Sequence, residues 1–142
     1  MVKKKKTKNK VLQAECLKLA IEICKARDKG ICQLHKYYKN IRLEHAGYMQ
    51  ADHGISRACK KYFVDPRNLT WVCGSANRAK HFKLCSVDEA IRQIVIDREG
   101  QEFWDEMVQW NQSEHVFKEW GQVWWLEEQK EKLEKELNLL KT

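Results

Sequence analysis

The chain has 142 residues, 43% of them apolar and 33% charged, with a net charge of +7. That length can bury one sizeable core but does not supply two full domains. No apolar run approaches the roughly 18 residues of a membrane span, the basic start lacks the apolar segment of a secretory signal, and the six cysteines read as thiols or metal ligands rather than a disulfide framework. A soluble, cytoplasmic protein with no membrane partner is expected.

Residues 1–10, with six lysines, read as a disordered basic arm. From Val11 an apolar stripe at helical spacing (Leu12, Cys16, Leu19 and Ile23, beside Ala20 and Cys24) predicts an N-terminal helix that stops near Gly30, with both cysteines in the core. Residues 31–50 are mixed and loop-like. Two short strands, about 48–53 and 69–72, flank an irregular basic loop at 56–67, and a short helix over 75–81 completes a ββα unit. Ser86-Val-Asp-Glu89 matches a capping box and opens a helix through Ile91, Ile94 and Val95 that ends at Gly100. Phe103, Trp104, Met107, Val108 and Trp110 mark another short helix, interrupted near 111–113. The last helix carries Val116, Trp120, Val123, Trp124, Leu126, Leu133, Leu137 and Leu140. Its heptad-like spacing covers only about two heptads, so packing back on the domain is preferred to self-association as a homodimer. Five of the six tryptophans fall within residues 104–125, where helical spacing and acidic neighbours favour a core role. The expected fold class is α+β, mainly helical. A ββα core at about 48–82 sits inside a domain spanning 11–110, followed by a helical extension over 111–142.

Chemistry concentrates in the ββα unit. Asp52-His53 is followed by Asn68-Leu69 and then by Asn77-Arg-Ala-Lys80, so a carboxylate, an imidazole and two carboxamides fall within 26 residues. Phosphodiester hydrolysis needs an activated water, and stabilisation of charge on the phosphorane and the leaving oxygen. A side chain titrating near neutrality can supply the first and a divalent cation the second. Asp52 offers a hard oxygen suited to Mg2+, Mn2+ or another divalent cation. Asn77, at the start of a helix, offers a second oxygen, and His53 stays free as general base. Asn68 is placed to tie the loop to the His53 backbone. Residues 1–85, which hold this motif, carry 20 Lys/Arg against 6 Asp/Glu, a balance of +14, whereas 86–142 carry 7 against 14, a balance of −7. A basic field of this kind raises the local concentration of a polyanion such as DNA.

The order Asp-His, Asn-Leu, Cys-x-x-x-Asn-Arg-x-Lys resembles the HNH (His-Me finger) endonuclease superfamily over residues 30–83. The segment Met49-Gln50-Ala51-Asp52-His53 with the later Cys73-x-x-x-Asn77 is similar to phage recombination endonucleases of the NinG (Rap) type, with Asp52 where that family has glycine. The resemblance implies a ββα-metal core with His53 as general base, Asp52 and Asn77 as metal ligands, and Asn68 as the loop-fixing residue. It also implies His81, four residues after Asn77, as a third ligand or a phosphate contact. Arg57, Arg78 and Lys80 flank the motif as phosphate contacts, and Lys60 and Lys61 could reach the backbone of a bound duplex. Many members of this superfamily brace the unit with zinc held by two Cys-x-x-Cys pairs. Here Cys32-Gln-Leu-His35 and Cys73-Gly-Ser-Ala76 leave only Cys32, His35 and Cys73 as ligands, and neither Cys59 nor Cys85 has supporting spacing. Two readings stand: a structural zinc, or a decayed site whose work apolar helices have taken over. His45 and His115 lack motif context.

The function expected is metal-dependent hydrolysis of DNA, in phage recombination, replication or packaging. The alternatives are a DNA-binding protein that has lost catalysis and a zinc-finger-like accessory protein.

Overall fold

Helix α1, Lys8–Arg27, buries Leu12, Cys16, Ala20, Ile23 and Cys24 along one stripe, as the apolar spacing requires. The computed structural model describes residues 6–84, 86–113 and 115–142, so half of the expected basic arm, and Cys85, lie outside the described residues. The helix begins three residues earlier than the apolar pattern does, and Lys8–Lys10 belong to it rather than to the arm. It ends where Lys29 and Gly30 take positive φ. A short helix, α2 (Gln33–Tyr37), follows within a stretch that the sequence shows as loop.

Strands β1 (Gln50–His53) and β2 (Leu69–Val72) pair antiparallel, with Gln50 opposite Val72 and His53 opposite Leu69. Helix α3 (Gly74–His81) leaves directly from β2. All four residues of β2 are buried, because helices cover both faces of this two-stranded ribbon. On one side Leu69 and Trp71 pack with the α1 stripe and with Leu133 and Leu137. On the other, Val72 packs with Leu34, Ala76, Val87 and Ile91. A third cluster, of Ile55, Cys59, Tyr62, Val95, Phe103, Trp104 and Met107, lies under the loop between the strands. A two-stranded ribbon alone is marginal in water, and this burial supplies its stability.

Helix α4 (Val87–Glu99) starts at Ser86, yet the expected capping box does not form. Ser86 is left-handed at φ 55° and makes no side-chain cap bond, so the helix starts without its serine hydroxyl. Gly100 (φ 99°) separates α4 from α5 (Gln101–Gln112). The final helix α6 (Val123–Lys141) lies along α1, with Leu126, Leu133 and Leu137 buried. Lys8 pairs with Glu127 and Glu15 with Lys130, so the two helices run in the same direction. Leu126, Leu133 and Leu137 are thus buried within the chain, while Leu140 is exposed. Among the described residues no helix is long and apolar enough to cross a membrane.

Candidate active site and metal cluster

Strand β1 ends at His53, and the bend there lets the adjacent Asp52 and His53 line one cleft of about 690 Å3 together with Arg57, Asn77, Lys80 and His81. Asn77 and Lys80 enter from α3 at a spacing of three residues, which places them on one helical face. His81 reaches the cleft rim as an exposed side chain against Phe82. The cleft therefore brings together the four residues expected at the reacting centre apart from Asn68.

His53 is positioned by the loop between the strands. Its Nε2 lies 2.9 Å from the carbonyl oxygen of Phe63, and its ring stacks on the Phe63 ring at 5.0 Å. A carbonyl only accepts, so Nε2 carries the proton and Nδ1 of the neutral ring keeps its lone pair. Burial pushes the imidazole down to about 4; the Phe63 hydrogen bond opposes this, while Arg57, Lys80 and Lys60 add to it. At neutral pH the ring is an unprotonated base.

Asn68 stands outside the cleft, completely buried. Its Oδ1 accepts from the Ile55 N–H at 2.8 Å, and its Nδ2 donates to the Tyr62 carbonyl at 3.2 Å and the Ile55 carbonyl at 3.5 Å. Its own carbonyl accepts from Gly54 N–H at 2.8 Å. One side chain thus joins both ends of the loop directly after His53.

Asp52 is also buried, and its Oδ2 accepts from Lys80 Nζ at 2.7 Å. Lys80 donates to the His53 carbonyl as well. Burial raises the Asp52 carboxyl from its ordinary value, and the Lys80 charge and hydrogen bond pull it back. Lys80, expected as a phosphate contact, is here an internal ion-pair partner.

The other expected contacts lie around the loop. Arg57, in the loop, and Arg78, on α3, are exposed. Lys60 sits 4.2 Å over the Phe63 ring and 5.7 Å from that of Trp120, and Lys61 sits 4.1 Å over Trp110. The aromatic cluster of the acidic half therefore backs the basic loop and orders its lysine stems.

About the N-terminus of α3 a second group assembles. Donor atoms of Cys32, His35, His45 and Cys73 all lie within 4.8 Å of one another. Cys32 stands at the N-terminus of α2 and Cys73 at that of α3, and burial raises the Cys32 thiol from its ordinary value. His35 Nε2 lies 2.8 Å from the Leu43 carbonyl, which fixes its proton there and leaves Nδ1 facing Cys32 Sγ at 3.2 Å and Cys73 Sγ at 3.7 Å. The Cys73 N–H donates to Cys32 Sγ at 3.3 Å. His45 is brought in by backbone contact: Ser75 N–H donates to Ala46 O at 2.9 Å, and a Cβ on Gly47 would meet Gly74 Cα at 3.1 Å. Glycines at 47 and 74 permit that approach. The fourth donor is thus His45, not Cys59, which lies in the third core cluster, nor Ala76, which is buried in the second. No local spacing marks His45; its histidine type and the neighbouring glycine were the only signals.

Comparison with family models, curated proteins and solved structures finds no match.

Proposed function

We propose that the chain is a metal-dependent DNA endonuclease of the HNH type, built on a ββα-metal core. The observation that carries the reading is the state of His53: a neutral imidazole with Nε2–H tied to Phe63, set beside Asp52 and Asn77 in a cleft on the basic half of the chain. In this reading His53 Nδ1 takes a proton from water as the water oxygen bonds to phosphorus. The bond from phosphorus to the 3′-oxygen breaks and that oxygen takes a proton from solvent, leaving a 3′-hydroxyl and a 5′-phosphate. Asp52, Asn77 and His81 are the residues that would hold a Mg2+ or Mn2+ ion, whose charge stabilises the phosphorane and the leaving oxygen. The oxygens of Asp52 and Asn77 suit a hard cation, with the His81 nitrogen a softer third donor, and the convergence of Asp52 Oδ2 and the His53 carbonyl on an ammonium group supports a cation position there. Arg57, Lys60, Lys61 and Arg78 would contact the phosphate backbone. The family likeness suggests phage recombination, replication or packaging as the setting.

We also infer that Cys32, His35, His45 and Cys73 hold a structural zinc. Two sulfurs and two imidazoles are a tetrahedral zinc donor set, and the Leu43 carbonyl orients His35 as outer partners orient metal-bound histidines. Such an ion would clamp α2, the 43–48 segment and the start of α3.

Plasmid nicking tests the first reading. The wild type should nick with Mg2+ or Mn2+ and stop with EDTA. His53→Ala should lose about 10²–10⁴-fold in rate while keeping duplex affinity. A His53→Ala protein that cuts at the wild-type rate would remove His53 as base. A wild type that binds duplex without cutting would favour a DNA-binding module.

A further inference from the structure

Two oxygens of the cleft converge on a cation that the chain itself supplies. Lys80 Nζ is held by Asp52 Oδ2 at 2.7 Å and by the backbone carbonyl of His53. A carboxylate oxygen and a backbone carbonyl are hard donors of the kind that hold Mg2+ or Mn2+. The Asp52 side chain is only 5% exposed and that of Lys80 21% exposed, so the pair lies mostly away from water. A divalent ion placed on the same carboxylate would stand close to the ammonium in a poorly screened setting, where like charges repel strongly.

We propose that Lys80 occupies the cation position of this cleft in the DNA-free protein, and that a divalent ion binds Asp52 only when the lysine side chain swings away. The proposal rests on the reading of Asp52 as a cation ligand. Lys80 can serve both states because its charge is carried on a flexible four-carbon stem. Its place on the last turn of α3, one turn from Asn77 on the same face, keeps the freed ammonium at the cleft. A phosphate that draws Lys80 away from Asp52 opens the ion's place. Metal and DNA then bind with positive coupling, which by linkage must be reciprocal. The ion pair also keeps a buried carboxylate partnered until that exchange occurs.

The test is Mn2+ binding to the full, zinc-supplied chain without DNA, read from the electron paramagnetic resonance signal of free Mn2+. Lys80→Met should bind Mn2+ about tenfold tighter than the wild type or better, within the usual range of coupling between sites. Lys80→Arg, which keeps a cation on Asp52, should gain much less. Adding Asp52→Asn to Lys80→Met should abolish the gain. Lys80→Gln carries the same expectation should the methionine variant fail to fold, as judged by circular dichroism. Equal Mn2+ affinity in wild type and folded Lys80→Met or Lys80→Gln overturns the proposal, as does a gain that survives Asp52→Asn. Plasmid nicking by the same wild-type preparation separates the two claims. Metal-dependent nicking with unchanged Mn2+ affinities removes the Lys80 exchange alone, whereas tighter Mn2+ binding without nicking keeps the exchange and removes the nuclease reading.

Discussion

Asn68 makes hydrogen bonds that no neighbouring side chain duplicates, to Ile55 on one side of the loop and Tyr62 on the other. Replacing it with alanine leaves a buried N–H and a buried carbonyl unpaired and adds a cavity. Asn68→Ala should therefore destabilise the protein by about 2–4 kcal/mol, read as a lower urea midpoint. The Phe63 carbonyl that orients His53 lies on the same loop, so nicking should fall in protein that remains folded. A loss below about 0.5 kcal/mol, the scale of an ordinary surface change, would show that the loop holds itself. The sequence offered Asn68 as a tie to the His53 backbone from its place just before the second strand, whereas its side chain reaches Ile55 and Tyr62. The Lys80–Asp52 pair was not legible there, since a long flexible lysine pairs with whichever carboxylate folding brings near.

Helices α2 and α3 meet through their N-terminal cysteines, and the segment carrying His45 is laid across them by the Gly47–Gly74 contact. Protein produced with zinc and never exposed to chelator should contain one zinc per chain by atomic emission. Removing that zinc should lower the melting temperature by about 10 °C or more, because binding energy at a structural site is folding energy. His45→Ala should weaken zinc retention while Cys59→Ala leaves it unchanged. Zinc-free protein that melts at the same temperature would sink the assignment. Three of the four donors could be read from the sequence as two spaced pairs with one gap. The fourth lies 10 residues beyond His35 and 28 before Cys73 with no periodic relation to either, so only the folded chain supplies it.

Across the whole molecule the buried thiols set a pH dependence. Burial, the leading cause for each, pushes Cys16 up from 9.0 to about 11 and Cys24 from 9.0 to about 12. Unfolding releases both thiols to titrate near 9.0, so above that pH the unfolded state holds fewer protons than the native one and stability falls as pH rises. Well below 9.0 their contribution is fully present, and it is lost as pH rises from about 9 towards 11 for Cys16 and towards 12 for Cys24. Urea midpoints at pH 8, 9 and 10 check this, and a Cys16→Ala/Cys24→Ala protein should show a shallower decline. An identical slope in that variant would remove the thiols as its cause. The two cysteines were legible as core residues because both fall on the α1 stripe, and that stripe is a property of sequence spacing alone.

Local pattern by itself determined the α1 stripe, the two strands, the helix after them, the break at Gly100 and the separation of basic from acidic halves. Each follows from side-chain period, glycine placement or charge count within a few residues, and none needs a distant partner. Tertiary structure alone decided that α6 lies along α1, that Ser86 adopts a left-handed conformation in place of a capping box, that His45 joins Cys32, His35 and Cys73, and that Lys80 sits on Asp52. Those outcomes depend on which surfaces meet once both faces of β2 are covered, and on loop paths whose closure leaves no periodic mark in the chain.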